Sequence, residues 1–202
     1  MTAVGDKTGV SVQVCAITPF DNATRYTVAN ASANKSTLLF DGTDLNYLAR
    51  VLYAEASGSG AETDAGVREK EKLAIINVMY NRINVIGFDP NDWTHGKFTT
   101  FKGVASAVKT TASGHLSGVQ FASVVGTDGT GTPKFKAVDG RGYEALKKAD
   151  CADYNECFDA IRKFLAAGPD ATLDFDNFRA AGSGTTPAGQ TVIGGNRFWK
   201  MK

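Results

Sequence analysis

Residues 68–86 fit only one kind of place in a folded protein. Leu73, Ile76, Tyr80 and Ile83 fall on one stripe of a helix, and Ala74, Ile75, Val78, Met79 and Ile86 cover most of its other sides. A helix that is apolar nearly all round has to be enclosed, because no face of it is suited to water. The stretch therefore reads as the central helix of a domain, and the rest of the chain must supply its shell. Asn77 and Asn81 lie one turn apart on its narrow polar strip. Buried amides need partners, so this pair either stitches neighbouring loops or faces a cleft.

Residues 44–56 predict a second helix, amphipathic this time. Leu45, Leu48, Ala49, Leu52 and Ala56 make the apolar stripe, with Asn46 and Arg50 on the opposite side. Thr43 or Asp44 is expected to cap its start, and the Ser57-Gly58-Ser59-Gly60 run to end it. Glu55 breaks the pattern. At about 100° per residue it projects at the edge of the apolar stripe, in the last turn. Desolvation and the helix dipole both disfavour a negative charge at such a place, which is what a proton-donating carboxyl group requires. The plain alternative is a helix-end glutamate turned to solvent or paired with a Lys or Arg.

A chain of 202 residues, 43% hydrophobic and 21% charged, can build one domain with a substantial core and a small appendage. Its formal net charge of +1 gives no bulk attraction to nucleic acid or to an anionic membrane. No apolar run is long enough to span a bilayer. The first residues lack a basic region followed by an apolar core, so no secretory signal is expected. Cys151 and Cys157, six positions apart, can close a local disulfide in an oxidising compartment and leave Cys15 over, or all three can be reduced. His95 and His115 are too few and too isolated for a zinc site, so neither metal nor cofactor is expected.

The remaining stretches divide the chain into an N-terminal extension over 1–42, β-like or irregular, and a main domain over 43–202. In the extension, residues 10–14 and 25–28 alternate like strands. In the main domain, 87–92 is a turn and 101–111 a short helix. The glycine-rich span 113–142 contains strand-like runs at 119–125 and 134–138, which suggests a β-containing flap or substrate-binding wall. Helices are expected over 141–149 and 155–167, linked by Ala152-Asp153-Tyr154. Residues 191–199 read as a short strand or turn. The fold class expected is mainly α (α+β).

Several of these pieces occur together in one order. Leu48 to Ala56, with Tyr53-Ala54-Glu55-Ala56 at its end, is followed by a glycine-containing loop and then by a helix ending Asn81-Arg82-Ile83. Gln120-Phe121, Phe175-Asp176-Asn177 and Ile193-Gly194-Gly195-Asn196-Arg197-Phe198 come later. This order resembles the SleB-type cell wall hydrolases, the spore-cortex-lytic enzymes and their relatives, over about residues 44–199. The resemblance implies a lysozyme-like, glycan-cleaving domain whose cleft binds peptidoglycan glycan strands. Glu55 then matches the family's catalytic glutamate. Tyr80, Asn81, Arg82, Gln120, Phe121, Asn177 and Asn196 become candidate substrate contacts. The chain departs from the family after Glu55-Ala56: the second acidic residue of the usual Glu-Ala-Arg-Gly-Glu run is displaced or absent. Its 113–142 span is also longer than the family core.

The reaction implied is cleavage of the β-1,4 bond between N-acetylmuramic acid and N-acetylglucosamine, with Glu55 as general acid and base. With a second carboxylate (Glu62, Asp64 or Glu69) water is the acceptor and the enzyme is a muramidase. Without one, the muramic acid's own 6-hydroxyl attacks and a 1,6-anhydro product forms, the lytic transglycosylase route that the resemblance favours. Two other classes stand beside it. One is a Cys157/His115 peptidase, the other a peptidoglycan-binding module without turnover. A wall enzyme without a signal peptide would be delivered by phage lysis or a secretion system. As an effector it would call for a cognate inhibitor protein.

Overall fold

In the computed structural model, which describes residues 17–84, 98–119, 121–127, 130, 133–135 and 148–200, the apolar stretch is a helix over Ala65–Arg82. Every residue from Ala74 through Tyr80 is buried in it, as is Ile83 just beyond. The described elements run β1 (Arg25–Tyr26), β2 (Phe40–Asp41), α1 (Gly42–Glu55), α2 (Ala65–Arg82), α3 (Phe101–Ala105), β3 (Val108–Thr110) and β4 (Leu116–Val119). They continue with β5 (Val125–Thr127), β6 (Pro133–Phe135), α4 (Lys148–Ala167), β7 (Asn177–Ala180), β8 (Gln190–Ile193) and β9 (Asn196–Trp199). The fold is mixed α+β: four α-helices and small antiparallel sheets among the described residues. No described helix is long and apolar enough to cross a membrane.

α4 packs on both α1 and α2, and α3 closes against the same two helices. The seam is made by Leu45, Leu48 and Leu52 of α1, Ile75, Ile76 and Met79 of α2, and Phe158, Ile161 and Phe164 of α4, all buried. Each such side chain contributes roughly 1.5–3 kcal/mol through burial. The C-terminal sheet, in the order β7-β9-β8, covers another side of α2 and buries Phe198. Residues 17–41 join the same core through Phe20, Val28 and Phe40, with the Phe40 ring 4.8 Å from that of Phe101.

Several expectations change in detail. α1 starts at Gly42 and is capped by Asp41, whose carboxylate accepts from the Asp44 amide. Thr43 and Asp44 are not the cap. The chain passes so close to the Asp21 carbonyl that a β-carbon on Gly42 would lie 2.1 Å from it, which favours glycine there. Asp44 is instead buried and accepts from the Phe101 and Lys102 amides at the start of α3; burial pushes its carboxyl above the usual range. Residues 119–125 are not one strand. β4 ends at Val119 and β5 begins at Val125, because Phe121 is drawn into the core against Phe178 and the chain turns there.

The helix at 101–111 stops at Ala105, and β3 follows from Val108. The helices expected on either side of 152–154 are a single α4 from Lys148. Asp153 does not break it, because its carboxylate turns outward to the Ser59 amide, at 3.0 and 3.1 Å. Tyr154 packs edge-on against Tyr53 and Phe158. Cys157 is a free, buried thiol, so the Cys151–Cys157 disulfide does not form, although Cys151 is disulfide-bonded. The strand-like run at 10–14, the turn at 87–92, and residues 141–147 also lie outside them.

Lys35 is the one cation of the 17–41 segment that the fold buries, among the described residues. Its ammonium donates to the Tyr80 and Asn81 carbonyls in the last turn of α2 and lies 4.4 Å from the Tyr80 ring centre. Burial pushes its pKa down to about 8. The folded pKa is therefore below the unfolded one. Between about pH 8 and 10 the unfolded chain holds the extra proton, so stability is gained as pH rises through that window. The melting temperature of wild type relative to Lys35→Met is expected to rise from about pH 7 to about pH 9.5. A difference that stays flat or falls would contradict this.

Candidate active site

Glu55 is the last residue of α1 and is half-buried. The turn at 121–124 brings Ser123 over it. The Ser123 hydroxyl donates to Glu55 Oε1, and the Ser123 amide lies 3.4 Å from the same oxygen. This contact with the turn between β4 and β5 fixes the orientation of the carboxyl group.

The backbone end of α1 is held just as closely. Its C-terminal carbonyls have no partners within the helix. The Asn196 side-chain amide donates to the Glu55 carbonyl at 2.9 Å and to Glu71 Oε1 at 2.9 Å. Glu71 Oε2 accepts from the Ser57 amide at 2.8 Å, and the Gly195 amide donates to the Ser57 hydroxyl at 2.9 Å. Asn196 reaches this position through the β8–β9 hairpin. A two-residue Gly194-Gly195 loop pairs Ile193 with Asn196, so Asn196 and Phe198 face inward together. Gly194 has φ 57°, and a β-carbon on it would lie 2.5 Å from Glu71 Oε2, so both its backbone and its neighbour demand glycine.

The loop after Glu55 is fastened from below. Arg68 donates to the Glu62 and Thr63 carbonyls and forms a two-point ion pair with Glu156 of α4, at 3.0 and 2.6 Å. Lys72 meets the same carboxylate at 3.1 Å and lies 3.4 Å from the Ser57 carbonyl. The hydrogen bond from Arg68 holds the Glu156 carboxyl below its usual range, and Glu156 in turn raises Arg68.

The other residues singled out by sequence fall into two groups. Asn196 stands at Glu55. Asn81, Arg82 and Asn177 stand together at the far end of α2. There the Asn81 amide donates to the Phe175 carbonyl at 2.8 Å, and Arg82 donates to the Asp176 carbonyl and to Asn177 Oδ1. Asn77 joins that seam by accepting from the Asp170 amide. Tyr80 is buried against Phe164, and Phe121 against Phe178. Gln120 lies outside the described residues. Of the three carboxylates considered as partners of Glu55, Asp64 caps α2 by accepting from Gly66 and Val67, Glu62 accepts from the Asp64 amide, and Glu69 pairs with Lys163 in an exposed position. Cys157 is fully buried with its thiol pushed up to about 12, the reverse of an activated nucleophile, while His115 is exposed beside the β3–β4 hairpin turn.

Sequence reading missed Ser123, Glu71 and Glu156. Ser123 lies two residues beyond the Gln-Phe pair, a proximity that could have flagged it. Glu71 and Glu156 carry no local signal, because their partners are distant in sequence. Comparison of the chain with protein-family models, curated proteins and solved structures gave no significant match.

Proposed function

We propose that this protein cleaves peptidoglycan glycan strands at the β-1,4 bond between N-acetylmuramic acid and N-acetylglucosamine, as a lysozyme-like lytic transglycosylase run by Glu55. The observation that carries the reading is the placement of Glu55. It is a half-buried carboxyl group at the end of an amphipathic helix, oriented at Oε1 by Ser123 and held at its backbone by Asn196. The motif order that resembles the SleB-type hydrolases supplies the substrate.

Protonated Glu55 donates to the glycosidic oxygen as the bond to C1 breaks and positive charge builds on the sugar ring. The muramic acid 6-hydroxyl then attacks C1 and gives its proton back to Glu55, which closes the cycle with a 1,6-anhydro end. An acceptor within the substrate needs no activated water, so one carboxyl group serves both steps. The engagement of Glu62, Asp64 and Glu69 in capping, turn and surface contacts supports this route over hydrolysis. The test is a digest of purified peptidoglycan: wild type releases soluble fragments and Glu55→Gln does not. Binding without release by either protein would favour a peptidoglycan-binding module instead.

A further inference from the structure

Glu71 is completely buried, at 0% exposure, and has no role in the bond-breaking steps above. A buried carboxylate is costly unless donors satisfy it. Its two oxygens take the Ser57 amide and the Asn196 side-chain amide, at 2.8 and 2.9 Å. Both donors belong to the end of α1: Ser57 is two residues past Glu55, and Asn196 bridges Glu71 to the Glu55 carbonyl with its two amide hydrogens. The turn of the β8–β9 hairpin wraps the same carboxylate so closely that Gly194 has no room for a side chain.

We infer that Glu71 is a positioning residue for Glu55, acting through Asn196 and Ser57 to fix where the last turn of α1 points its carboxyl group; this rests on the glycan-cleaving role proposed above. Glu71 accepts, and it must accept twice. Glutamine at this position has the same shape but turns one acceptor into a donor. Either Ser57 or Asn196 then meets an N–H instead of an oxygen, and the bridge to the Glu55 carbonyl loosens. Glu71 cannot touch the substrate from where it is buried, so its loss should act on the chemical step rather than on binding. Misplacement of a reacting group by about 1 Å can cost about a hundredfold in rate.

The experiment compares wild type, Glu71→Gln and Glu55→Gln on soluble, uncrosslinked glycan strands, with amide hydrogen exchange measured on the same proteins. Glu71→Gln is expected to stay folded, with kcat lower by at least about tenfold and KM within about twofold of wild type. Exchange at Ser57 should be at least about tenfold faster, with the amides of α4 unchanged. A folded Glu71→Gln with wild-type kcat, or a loss carried by KM, would overturn the inference. Should Glu71→Gln fail to fold, Asn196→Ala removes the bridge alone, and the same pair of outcomes decides. Should wild type turn over no faster than Glu55→Gln, the proposed function falls, and the exchange at Ser57 alone judges whether Glu71 holds the end of α1.

Discussion

Glu55→Gln is expected to lower the rate of glycan-strand cleavage by about 10²–10⁴-fold, the range that a positioned proton donor supplies. Glutamine keeps the length and planarity of the side chain, and its carbonyl can still accept from the Ser123 hydroxyl. What it lacks is a proton that can be given to the leaving oxygen and taken back from the 6-hydroxyl. The contacts that hold the fold around Glu55 use its backbone carbonyl, which the substitution leaves in place. The melting temperature should therefore move little while turnover disappears. Soluble fragment release and a thermal melt of the same preparation check the two halves together. A variant that keeps more than about half of wild-type turnover would remove Glu55 from the chemistry.

Glu156→Ala should lower the stability of the fold substantially. It strips the counter-charge from Lys72, which is 1% exposed, and from Arg68, which is 7% exposed. Breaking a fully buried pair costs about 3–5 kcal/mol, because the partner left behind is an uncompensated charge. The Glu156 side chain is 29% exposed, so water screens part of that, and about 2–3 kcal/mol is the expected loss. The folded-state pKa of Glu156 lies below its unfolded value, chiefly through the hydrogen bond from Arg68. The stabilisation is therefore complete above the ordinary carboxylate range and fades as pH falls through the folded value. Chemical denaturation of both proteins at neutral pH should show the full gap, and the gap should narrow in acid. Equal stability at neutral pH would contradict the role given to the pair. The same loss should loosen the Ser57–Thr63 loop, since Arg68 and Lys72 reach its carbonyls.

What the sequence showed clearly was what depends on period. The apolar sides of α2 left it no place but the centre, and the stripe of α1 placed Glu55 at its edge and at its end. What it hid was what depends on long-range pairing. Arg68-Glu69-Lys70-Glu71-Lys72 looks like a solvated charged turn of helix. At helical spacing, however, Arg68, Glu71 and Lys72 share a face, and that face is turned inward onto the loop after Glu55 and onto α4, while Glu69 and Lys70 stay outside. Nothing local marks the difference, because the partners lie 14, 88 and 125 residues away, at Ser57, Glu156 and Asn196. Asp153 misled for a related reason. Aspartate commonly ends helices by bonding its own backbone, but here a distant loop amide takes its carboxylate and the helix runs on. Asn196 was reached only as part of a motif; its place beside Glu55 follows from the two-glycine hairpin that sets the register of β9.

The most direct test of a glycan strand cleaved by Glu55 with an internal acceptor is the mass of the fragments. Wild-type digests of purified peptidoglycan, analysed by mass spectrometry, should contain muropeptides lighter by one water than the hydrolytic products and resistant to borohydride reduction, and Glu55→Gln digests should contain none. Ordinary reducible muropeptides as the main product would contradict the transglycosylase route and require a carboxylate-activated water. The same fragments from Glu55→Gln at the wild-type rate would contradict the account of the site altogether.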